Sequence, residues 1–114
     1  MTVIDLRQRQ IEHRAELLCQ TRNKGVPVDI ARSCFEPISG GVQFIRYHYK
    51  LDSIRVDYTS VVAKIEWCNE ANEWVISIPG GEQAWQPYPY LPRSADLTAV
   101  IREIEKDPKS CFWS

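Results

Sequence analysis

Residues 61–90 read VVAKIEWCNEANEWVISIPGGEQAWQPYPY, and their pattern decides the fold. Val61, Ala63, Ile65 and Trp67 alternate with Val62, Lys64, Glu66 and Cys68, the two-residue period of a strand with one buried face. Asn69-Glu70-Ala71-Asn72-Glu73 is polar and rich in turn formers, so the chain reverses there. Trp74, Ile76 and Ile78 continue an apolar face, with Val75 and Ser77 opposite. Pro79-Gly80-Gly81-Glu82 is a second reversal, since proline ends ladder pairing and glycine reaches positive φ without strain. A shorter strand over 83–88 carries Trp85; Pro87, Pro89 and Pro92 confine it to an edge. Three tryptophans on successive strands are expected to pack across one face as core.

Before this stretch, residues 2–23 read as a helix. Thr2 caps it with Asp5 returning the bond, and Ile4, Ile11, Ala15 and Leu18 make one apolar stripe. Asn23-Lys24-Gly25 stops it. Arg7, Arg9, His13, Arg14 and Arg22 lie off the stripe, but Glu12 and Glu16 interrupt them, the pattern of a solvated face. Val26-Pro27-Val28 is an extended exit. A strand over 31–38 turns at Ser39-Gly40-Gly41 into another over 42–51. There Ile45, Tyr47, Tyr49 and Leu51 share one face, and Arg46, His48 and Lys50 the other. After a weak break at Asp52-Ser53, Ile54, Val56 and Tyr58 alternate with Arg55, Asp57 and Thr59 into the central stretch.

After it, Ser94 is expected to cap a second helix, with Asp96 at the positive end of its dipole. Leu97, Val100, Ile101 and Ile104 form its apolar face, and Asp107-Pro108 stops it. The tail Lys109-Ser110-Cys111-Phe112-Trp113-Ser114 is too apolar for water, so it should dock back on the domain, in preference to a partner.

The 114 residues make one α+β domain, 1–114: an antiparallel meander of four or five strands with the two helices packed on one face. The other face is expected to be more polar. The net charge of −1 gives no long-range field for nucleic acid or membrane. Cys19, Cys34, Cys68 and Cys111 lie far apart, without the close ligand spacing of zinc, so no metal is expected. No signal-type segment or apolar run of membrane length occurs, and a cytoplasmic protein with reduced thiols is the expectation.

Catalysis needs an acid, base or nucleophile beside a partner. His13 and His48 are far apart in sequence, Cys34 and Cys111 are isolated, and no hydrolase, phosphate-loop or dinucleotide motif occurs. No catalytic residue or cofactor is therefore assigned. A protein-binding or adaptor module fits better, with Tyr88, Tyr90 and Trp113 as contact residues on a proline-stiffened segment and an aromatic tail. The partner is another protein, or a second copy paired through a sheet edge. The alternative is nucleic-acid binding by Arg46, His48, Lys50 and Lys64 on the outer sheet face, although Tyr47 and Tyr49 point away from that charge. A small enzyme without a recognisable motif is the remaining reading.

Val62-Ala63-Lys64-Ile65, Trp74, Trp85 with Tyr88, Leu97, Asp107-Pro108 and Cys111-Phe112-Trp113 together resemble a bacterial family of uncharacterised proteins, DUF3024. The first helix and Ile45-Arg46 fit more loosely. The chain departs from the pattern at Ile78-Pro79-Gly80-Gly81, where the resemblance implies a charged, arginine-bearing hairpin. The family implies no activity and no catalytic residues.

Overall fold

The computed structural model describes residues 3–24, 31–49, 56–81 and 84–113, with side chains except at 3–5 and 56–58. The Thr2 and Asp5 cap, Gly25, the 26–28 exit, Lys50 and the Asp52-Ser53 break lie outside this description. The elements are α1 (Val3–Lys24), β1 (Ala31–Ile38), β2 (Gly41–Tyr49), β3 (Val56–Cys68), β4 (Glu73–Pro79), β5 (Trp85–Pro87), β6 (Arg93–Ser94) and α2 (Leu97–Lys106). The sheet runs β1-β2-β3-β4-β5, antiparallel throughout, and β6 pairs with the other end of β4. Both helices pack on one face, as the two amphipathic stripes require.

That face holds the core. α1 supplies Ile11, Ala15 and Leu18; α2 supplies Leu97, Val100, Ile101 and Ile104; the strands supply Val42, Phe44, Ala63, Ile65, Trp74 and Ile76. Ten residues of isolated helix are marginal in water, whereas each buried Leu, Ile or Val contributes about 1.5–3 kcal/mol, so α2 exists through its packing. Asp96, not Ser94, is its N-cap: Asp96 accepts from the Thr98 amide at 3.0 Å, while the Ser94 hydroxyl accepts from the Asp96 amide. The helix starts two residues later than a Ser94 cap would set it.

The β1–β2 turn needs two glycines for different reasons. Gly40 has φ +77°, and a side-chain carbon on Gly41 would stand 1.8 Å from the Ile65 carbonyl oxygen. The β1 edge is blunted by Asn23, whose amide donates to the Ser33 carbonyl (3.0 Å) and accepts from the Ser33 N–H (2.7 Å), and by Pro37, which has no N–H. At the opposite edge, the strand expected over 83–88 is cut to three residues. Ladder pairing gives way to bonds from Tyr88 N to Ile76 O and from Ile76 N to Pro92 O.

Two face assignments are corrected. In the β2–β3 ladder Phe44 pairs with Ala63 but Ile45 pairs with Val61, so Val62 is an extra residue, a β-bulge. Val62 and Ala63 both enter the core, leaving Val62 4% and Val61 41% exposed. The simple alternation fails because Val61, Val62 and Ala63 are all apolar and offer either parity. In β2 the core face is that of Val42 and Phe44, so Arg46 and His48 lie on the helix side and not on the outer face. Ile45 and the tyrosines suggested the opposite parity, and a one-residue slip exchanges every side chain. The tryptophans also divide. Trp67 and Trp74 meet edge to face at 5.1 Å under α1, while Trp85 lies on the uncovered face, 37% exposed, with the Lys64 ammonium 4.5 Å from its ring.

Candidate binding cleft

Where the helices end, the tail takes over as the cover of the sheet. Asp107 caps α2 in the left-handed conformation, φ 48°, and its amide donates to Glu103 O. Its carboxylate gathers the three amides that follow the turn: Oδ1 accepts from Cys111 N (2.8 Å) and Phe112 N (3.2 Å), and Oδ2 from Trp113 N (3.0 Å). An ionised acceptor makes these stronger than neutral bonds. They set Phe112 and Trp113 into the core, as the apolar tail predicts. The Trp113 indole N–H donates to Ile104 O at 2.9 Å and its ring meets Phe44 edge-on. The Arg22 guanidinium lies 5.1 Å from that ring, and Arg46 Nη1 donates to the Trp113 carbonyl.

Between the tail and the uncovered ends of β2, β3 and β4 lies a cleft of about 490 Å³. Arg46, His48 and Ser60 form its polar wall; Ile78, Phe112 and Trp113 form much of its apolar wall. His48 Nε2 and Ser60 Oγ are 2.8 Å apart, on neighbouring strands. Among the described residues, no carboxylate lines the cleft and none pairs with Arg46. Burial lowers the pKa of the neighbouring Arg22 guanidinium; Asp107 opposes this, Arg46 adds repulsion, and Glu105 helps to restore the charge. Cys111 sits exposed at the mouth, its thiol directed to Lys109 O at 3.6 Å.

The structure thus gathers Arg46, His48 and Trp113, which the sequence placed in two separate candidate sets. Tyr88 is wholly buried behind them, its ring 4.7 Å from Phe112 and its hydroxyl donating to Glu103 Oε2 at 2.6 Å. Burial and that carboxylate push the Tyr88 pKa up. Tyr90 is 58% exposed, with the Lys109 ammonium 5.2 Å from its ring. Lys64 lies on the other face of the sheet, paired with Glu66 at 3.2 Å. Lys50 is outside the described residues.

Sequence reasoning missed Ser60, Arg22 and the anchoring role of Asp107. Only Asp107 left a local signal, an acid at a helix end followed by proline and a short apolar tail. Of the two isolated cysteines considered as nucleophiles, Cys34 has its pKa raised by burial, partly offset by Arg32. A smaller cleft of about 190 Å³ near the other end of the sheet is bordered by Arg7, whose guanidinium stacks 3.9 Å from the Trp67 ring.

Meander, paired helices and anchored tail define a small α+β domain whose sheet is covered on one face. The family is specific: the chain matches the model of DUF3024, a domain of unknown function, over residues 3–114 and belongs to that family. No curated protein and no solved structure matches the chain. No helix among the described residues is long and apolar enough to cross a membrane.

Proposed function

We propose that the protein is a non-catalytic protein-binding module of the bacterial cytoplasm, and that it takes its partner in the cleft beside the tail. The observation that carries this reading is Arg46, a cation without a carboxylate partner among the described residues, set against an apolar wall. A fixed polar group beside desolvated aromatic surface is the composition of a binding hot spot. The four free cysteines support a reducing compartment. Nucleic-acid binding has less support, because Arg46 and His48 face the helix side and Lys64 the other. Pairing of two copies through β1 is opposed by Asn23 and Pro37.

The test is affinity capture with the tagged protein from its host lysate, after nuclease and at high salt, comparing wild type, Ser60→Tyr and Tyr90→Ala. Ser60→Tyr fills the cleft and is expected to lose a partner that Tyr90→Ala keeps. Loss with Tyr90→Ala alone would move the surface to the β5 edge, and nuclease-sensitive recovery would favour nucleic acid.

The His48–Ser60 contact favours one second reading. A hydroxyl within hydrogen-bond reach of an imidazole is the arrangement of a nucleophile and its base. A fluorophosphonate probe that labels Ser60, and fails to label Ser60→Ala, would make the protein a hydrolase. Absence of labelling leaves the binding reading in place.

A further inference from the structure

We propose that the Arg46 corner of the cleft is a carboxylate subsite whose ligand is an acid with an apolar body, such as an acidic residue beside an apolar one in a partner's segment. The inference deepens the proposed function and rests on the cleft being the contact surface. A guanidinium has five N–H donors in a planar fork. One Arg46 nitrogen donates to the Trp113 carbonyl, which fixes the fork against the tail; the others have no protein partner among the described residues. No described carboxylate lines the cleft to neutralise the charge; Arg22, behind the Trp113 ring, adds a second cation, offset by its acidic neighbours Asp107 and Glu105.

An arginine fork matches a carboxylate with two parallel bonds. One guanidinium balances one carboxylate charge, whereas a phosphate near neutral pH carries more. Ser60, the partner of Arg46 across β2 and β3, lines the same cleft, and its hydroxyl is placed to give the ligand head a further polar contact. Ile78, Pro79, Phe112 and Trp113 then offer apolar contact to whatever is attached to that head. A ligand without an apolar body would forgo contact with the exposed rims of these side chains, and one without a charge would forgo the fork.

The experiment is an amide and side-chain NMR titration of the full chain with sodium acetate, sodium hexanoate, inorganic phosphate and sodium chloride, at constant ionic strength. Saturable shifts at Arg46, Ser60 and Trp113 are expected with both carboxylates, with hexanoate about fivefold tighter than acetate. Arg46→Lys should weaken hexanoate at least tenfold, since an ammonium cannot form the fork. Should that variant lose its fold, Ser60→Tyr serves instead, because it blocks the cleft without touching the bond to Trp113. Equal shifts with chloride, phosphate binding tighter than hexanoate, or no gain from acetate to hexanoate would each overturn the proposal. The two readings fail separately. Carboxylates that bind where no captured partner depends on the cleft sink the adaptor function and keep the subsite. A cleft-dependent partner with no carboxylate binding does the reverse.

Discussion

At the Gly41–Glu66 end of the helix-side face, α1 lies directly on the strands: Gln8 donates to the Gly41 carbonyl, and Arg7 stacks on Trp67 above a floor that includes Ile65 and Trp74. At the His48–Ser60 end, the same face of the same two strands borders the tail, and a cleft remains. One end is closed by a helix with an apolar stripe. The other is closed by two aromatic side chains tied to one carboxylate. Helical packing distributes its free energy over many contacts, so no single one is indispensable. A tail distributes it over few, and those few decide whether the cleft has a wall. The strands therefore serve two purposes, a core at one end and a surface at the other.

The largest effect is expected where the tail behaves as core. Trp113→Ala removes a buried indole, its bond to Ile104 O and its contact with Phe44, and should cost about 3–5 kcal/mol in chemical denaturation. A loss under about 1 kcal/mol would mean that the tail rests on a domain that folds without it. Next comes Gly41→Ala at the closed end. Its added carbon meets the backbone of β3 and not a movable side chain, so a cost of about 3 kcal/mol is expected from the midpoint of a urea melt. A near-neutral result would show that the β2–β3 register yields easily.

This contrast also explains what could be read from the sequence. The strands, both helices and the docking of Phe112-Trp113 follow from local patterns of apolar spacing and turn residues. The face assignment does not. Val61-Val62-Ala63 and Phe44-Ile45 are apolar in both parities, and only the pairing of β2 with β3 reveals the bulge that chooses between them. Arg46 and His48 then pass from an expected solvated face to the cleft wall. The site was legible only in pieces: Arg46, His48 and Trp113 were each visible, but their meeting depends on contacts spanning up to 67 residues of chain. Ser60 was invisible, because a serine within a strand carries no signal until its neighbour is known.

Asp107→Ala tests the tie itself. It deletes three hydrogen bonds from backbone amides to a carboxylate at a half-exposed site, and a cost of about 2 kcal/mol is expected. Near-UV circular dichroism should change with it, since Trp113 loses its fixed setting. Asp107→Asn, which keeps an acceptor oxygen without the charge, should fall between. If both variants match wild type, the tail is held by its rings alone.

Alkaline pH probes the packed side with a smaller effect. Burial pushes the Cys19 thiol from 9.0 up to about 12, so the folded chain holds a proton that the unfolded chain releases. Its contribution is unchanged below pH 9 and declines as pH rises from 9 towards 12, by about 1 kcal/mol at pH 10. Tyr88, raised by burial and by Glu103, adds a loss of the same sign at higher pH. Urea melts at pH 8 and pH 10 measure it, and Cys19→Ala should flatten part of the difference. A thiol reagent should correspondingly label exposed Cys111 well before buried Cys19.

The smallest effect on stability is expected from Ser60→Ala, and it separates the two ends most directly. Ser60 Oγ contacts His48 at 2.8 Å, a bond whose net worth in a closed core would be about 1 kcal/mol. The cleft is open, so water can take the place of the lost hydroxyl, and the cost should fall below about 0.5 kcal/mol. The same substitution removes a polar contact beside Arg46 and should weaken hexanoate binding measurably. Stability retained with affinity reduced is the signature of a surface residue used for recognition. If Ser60→Ala instead costs as much as Asp107→Ala and leaves carboxylate binding alone, the His48–Ser60 pair is part of the packing that holds β2 to β3. Both ends of the face would then be core, and the difference between them would be only one of polarity.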